Sequence, residues 1–116
     1  MLPEPNTITA KCILDDVLTK LKAVENLVNN TLSQLIAQAP SDETRIRNEL
    51  LQQEFELEIT MIRMNLDHLM DRYAQELHDA ATGAGNAVLL LDRHEQFAIQ
   101  SANALYQRAR AIQTGE

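Results

Sequence analysis

Proline and glycine are confined to six positions of this chain: Pro3, Pro5 and Pro40, and Gly83, Gly85 and Gly115. These two residue types end helices, proline by losing a backbone donor and glycine by its conformational freedom. Their placement leaves two uninterrupted stretches, 6–39 and 41–82, and a third from about 86 to 113. Leu, Ala, Gln, Glu and Asn dominate, and aromatic residues make up only 3%. Such stretches are built for helices and poor in the β-branched and aromatic residues of strands. The expectation is an all-α fold, an antiparallel bundle of three long helices over 7–38, 42–81 and 86–113. With 116 residues, the chain reads as one domain, 1–116.

The helix ends carry their own signals. Asn6 or Thr7 can cap the first helix, and Ser41, followed by Asp42 and Glu43, suits the start of the second. Gly83 fits a left-handed cap at the end of the second. In helix one, Ile13, Leu14, Val17, Leu18, Leu21, Val24, Val28, Leu32, Leu35 and Ile36 form one apolar stripe. Within it, Leu14, Leu21, Val28 and Leu35 recur every seven residues, the spacing of a coiled coil. In helix three, Ala87, Leu91, Ala98, Ala102, Leu105, Ala109 and Ile112 form a small-residue seam, widened by Leu90 and Phe97.

Helix two carries two stripes. Leu51, Phe55, Ile59, Ile62, Leu66, Leu69, Met70, Tyr73 and Leu77 run its full length. Ile46, Leu50, Leu57, Met61 and Met64 line a second face of its first half, with Glu54 and Glu58 between the two. Two apolar faces need two partners. Either helices one and three cover one face each, or dimerisation covers the leftover stripe. Ile46, Leu50, Leu57, Met61, Met64, Glu54 and Glu58 are therefore the candidate interaction surface.

Charge narrows the partners. The net charge is −7, and residues 41–82 contribute four arginines against ten acids. No basic stripe exists for direct nucleic-acid or anionic-membrane binding. No apolar run approaches the roughly 20 residues that span a bilayer. The first residues, MLPEPNTITAKC, lack the organisation of a secretory signal. Cys12 is the only cysteine, which excludes an internal disulfide and points to a reducing, cytoplasmic setting.

Chemistry-bearing motifs are sparse. His68, His78 and His94 are preceded three positions earlier by Asn65, Gln75 and Leu91, so the Glu-x-x-His of di-metal bundles is missing. No cofactor, metal site or catalytic residue is expected from these spacings. Arg63 to His68 (R-x4-H) and Arg72 to His78 (R-x5-H) resemble the catalytic motif of the HEPN superfamily, helical proteins that include dimeric RNases. That resemblance covers six or seven residues. It implies an RNase or toxin–antitoxin component with an active site assembled across a dimer. The acidic second helix also fits a mimic that blocks a basic nucleic-acid-binding protein. The reading preferred here is a non-enzymatic protein–protein interaction module, an adaptor, small chaperone or inhibitor. It would act by helix packing on a protein partner and associate as a homodimer.

Overall fold

The computed structural model describes residues 6–114, so Pro3, Pro5 and Gly115 lie outside the described residues. A short strand, β1 (Thr7–Thr9), leads into a helix, α1, over residues 10–37. Then follow α2 (Asp42–Arg72), α3 (Ala74–Thr82), a second strand β2 (Val88–Leu90) and α4 (Arg93–Gln113). The class is all-α with one two-stranded sheet. No described helix is long and apolar enough to cross a membrane.

Three expected boundaries move. Helix one starts at Ala10, and its cap is Thr9, whose side chain accepts from the Cys12 N–H, rather than Asn6 or Thr7. The expected single helix over 42–81 is broken at Tyr73, which leaves helical geometry with φ −119° and ψ 32°. Helix three starts at Arg93, not at 86, because residues 88–90 pair antiparallel with residues 7–9. In β2, Leu89 is buried while Val88 and Leu90 are exposed, the alternation that a strand imposes. Ser41 does cap α2, accepting from the Thr44 N–H, and Gly83 ends α3 at φ 82°.

The seven-residue repeat of helix one does not survive as a seam. Ile13–Val17 and Leu27–Leu32 are π-helical, and each wider turn rotates the face of everything after it. Leu21 and Val28 are buried, whereas Leu14 is half-buried and Leu35 is exposed. Leu27, absent from the expected stripe, enters the core instead.

One core joins the elements. It contains Ile13, Leu21, Val24, Leu27 and Leu32 of α1, Phe55, Ile62, Leu66 and Leu69 of α2, and Ala98, Ala102, Leu105 and Ala109 of α4. Helices α1 and α4 thus share the long stripe of α2, and neither covers the second one. That overturns the arrangement in which helices one and three take one face each. The reason lies in α4: its alanines allow close approach, so α4 settles against both α1 and α2.

Candidate functional site

The second stripe of α2 faces solvent. Ile46, Leu50, Leu57, Met61 and Met64 are each between 50 and 67% exposed. Phe97, at the start of α4, is 63% exposed and extends the patch, contrary to its expected place in the seam. Leu90, expected there too, is also exposed. Between Met61 and Phe97 lies a groove of about 230 Å³ lined by Glu58, Ile62, Asn65, Ala98 and Ser101 as well. Glu54 and Glu58, the acidic members of the predicted surface, do not point freely outward. Arg108 of α4 donates to Glu54 at 2.9 Å and to Glu58 at 3.5 Å, with its guanidinium 5.0 Å from the Phe55 ring. These pairs bridge the two helices along the rim of the patch.

A second cluster sits at the start of α4. Asp92 caps the helix: its Oδ1 accepts from the Glu95 N–H at 2.7 Å, and Glu95 Oε1 accepts from the Asp92 N–H at 2.8 Å. This reciprocal box satisfies two of the free amides of the first turn. Glu95 is completely buried, a costly position for a carboxylate unless paired. Arg72 supplies the pairing at 2.6 Å on Oε1, and His68 Nδ1 lies 3.2 Å from Oε2. Asp92 Oδ2 stands 3.9 Å from the same ring nitrogen. His68 and Arg72, four residues apart on α2, share the face that meets α4.

The two Arg–His pairs of the sequence do not converge. Arg63 pairs with Glu25 of α1, while His68 meets Glu95 of α4. Arg72 turns to Glu95, and His78 is exposed. His94 is also exposed. Cys12 is half-buried, and its thiol pKa is raised, first by burial and then by the nearby Asp16 carboxylate.

No protein-family model, curated protein or solved structure matches this chain.

The surface residues were readable from helical periodicity, but the Glu95 cluster was missed. Its local signal was present as Asp92-Arg93-His94-Glu95, a capping-box spacing that also fixes the true start of α4. Its histidine comes from 27 residues away in the chain, which no local motif could disclose.

Proposed function

We propose that this chain is a non-enzymatic interaction module, an antiparallel three-helix bundle that associates with a second copy through the exposed stripe of α2. Order of contacts supports the antiparallel arrangement: Arg72 meets Glu95 near the end of α2, and Arg108 meets Glu54 nearer its start. Arg63 likewise meets Glu25, while Gln52 reaches back to Val28. The observation that carries the functional reading is the row of five large apolar side chains, each at least half exposed along one helix and continued by Phe97.

Area favours a second copy as the occupant. Together these six side chains expose apolar surface on the order of 600 Å², at the upper end of what monomers leave uncovered. At the roughly 65% apolar content of homodimer interfaces, that patch belongs to a face of about 900 Å² per partner. A standard interface takes about 800 Å² per partner. The row from Ile46 to Met64 is roughly 27 Å long at 1.5 Å per residue, a length that two crossed or antiparallel helices can share. The mechanism is then helix packing, and the reading keeps the reducing, cytoplasmic setting expected of a chain whose one cysteine is free.

Light scattering on the purified chain tests this. A dimer mass is expected for the wild type, and a monomer mass with retained helicity for Leu57→Glu and Met61→Glu. Because α2 carries excess negative charge, two facing copies repel, and self-association is expected to tighten with salt. A monomer at all concentrations, combined with salt-weakened capture of a basic protein, would instead support the acidic-mimic reading.

A further inference from the structure

We propose that His68, Asp92 and Glu95 form a binding site for a single divalent transition metal, with zinc the ion that fits their chemistry. This inference is independent of self-association. The capping box builds the site by committing one oxygen of each carboxylate and releasing the other. Asp92 Oδ1 is taken by the Glu95 N–H, and Glu95 Oε1 by the Asp92 N–H and Arg72. What remains is Asp92 Oδ2 and Glu95 Oε2, at 3.9 and 3.2 Å from His68 Nδ1. One ligand atom from each of the three residues lies within 4.8 Å of the other two.

Those spacings suit a small ion. A tetrahedral zinc shell with bonds of about 2.0–2.1 Å holds its ligand atoms roughly 3.3 Å apart. Only Asp92 has to move closer, and its side chain is 42% exposed. His68, 60% exposed, leaves the fourth position open to water. One imidazole with two carboxylates favours zinc over calcium or magnesium, which take mostly oxygen ligands and, for calcium, more of them. The carboxylates are already oriented by backbone amides and a guanidinium, the kind of outer support that ligating side chains need.

Charge sets the strength. Two carboxylates against the Arg72 guanidinium leave one negative charge for the incoming ion. Arg72 and the amides at the start of α4 oppose a cation. Binding is expected to be weaker than at a thiolate-built structural site.

The test uses the full chain after removal of metal with a chelator. Zinc titration by calorimetry is expected to give one equivalent per chain, and zinc is expected to raise Tm by several degrees. Cobalt in its place is expected to give a visible spectrum without a thiolate band. His68→Ala removes an exposed side chain, and Asp92→Asn keeps a competent helix cap while removing a ligand charge. Each is expected to weaken zinc binding roughly tenfold or more with unchanged helicity. His94→Ala and Cys12→Ser are expected to bind as the wild type does. No zinc uptake by the wild type, or uptake unaltered in both His68→Ala and Asp92→Asn, overturns the proposal.

Discussion

The Tyr73 hydroxyl accepts from the Leu90 N–H at 3.2 Å and donates to the Leu90 carbonyl at 3.1 Å. One side chain thus satisfies both outward backbone groups of Leu90 on β2, whose inner edge pairs with β1. Arg72 adds a third contact, to the same carbonyl at 2.8 Å. The break between α2 and α3 falls at the residue that makes this reach. Open strand edges invite further pairing, and at Leu90 the edge is covered from within the chain.

Tyr73→Phe keeps the ring and removes both hydroxyl bonds. The expected cost is about 1–2 kcal/mol, modest because the bonds are partly exposed to water. Urea unfolding measures it, and hydrogen exchange locates it. Exchange at the Leu90 amide is expected to accelerate, with little change at Leu66 in the core. An unchanged Leu90 amide would show that Tyr73 does not hold the strand.

Arg72→Leu strands the buried Glu95 carboxylate with His68 and one amide for support. The expected cost is about 2–3 kcal/mol, since a desolvated charge loses its closest partner. Glu95→Gln preserves the capping box but removes the charge. In the double variant the two costs are expected to fall short of their sum, with a coupling of about 1–2 kcal/mol. Strict additivity in denaturant titrations would mean that Arg72 acts only through Leu90.

Cys12 offers a pH dependence with a definite sign. Burial and Asp16 disfavour the thiolate, so the folded thiol titrates above its ordinary value. A group raised on folding contributes its stability below the unfolded pKa, about 8.5 for cysteine, and loses it as pH climbs through the folded value. Alkylation near neutral pH is expected to be slower in the folded chain than in urea, and stability is expected to fall above pH 9 more in the wild type than in Cys12→Ser. Equal alkylation rates would contradict the burial of the thiol.

What the sequence discloses here depends on the range of the signal. Ser41, Gly83 and the Asp16–Lys20 pair at 3.1 Å are local, and each appears where its residue chemistry places it. Phe55, Ile62, Leu66 and Leu69 follow a straight helical period and are buried as that period requires. Helix one departs because two π-helical segments shift its phase, bringing in Leu27 and turning out Leu35, and seven-residue counting assumes a constant turn. The sheet escaped because Thr7–Thr9 and Val88–Leu90 are each three residues long, too short for alternation to stand out. The site has the same division. The exposed row on α2 is periodic and therefore legible, whereas His68 and Glu95 meet only because α4 folds back on α2.

The small sheet also has a bearing on how the helices are indexed. Ala98, Ala102 and Ala109 present a smooth seam that offers little resistance to sliding along a neighbouring helix. The strands remove that freedom, because β1 runs directly into α1 and β2 lies just ahead of α4. A shift of one residue between them would turn Leu89 from the interior to solvent and bring Val88 and Leu90 to the inner face in its place. Three residue pairs, Thr7 with Leu90, Ile8 with Leu89 and Thr9 with Val88, thereby act as a vernier that fixes the stagger of two helices many times their length.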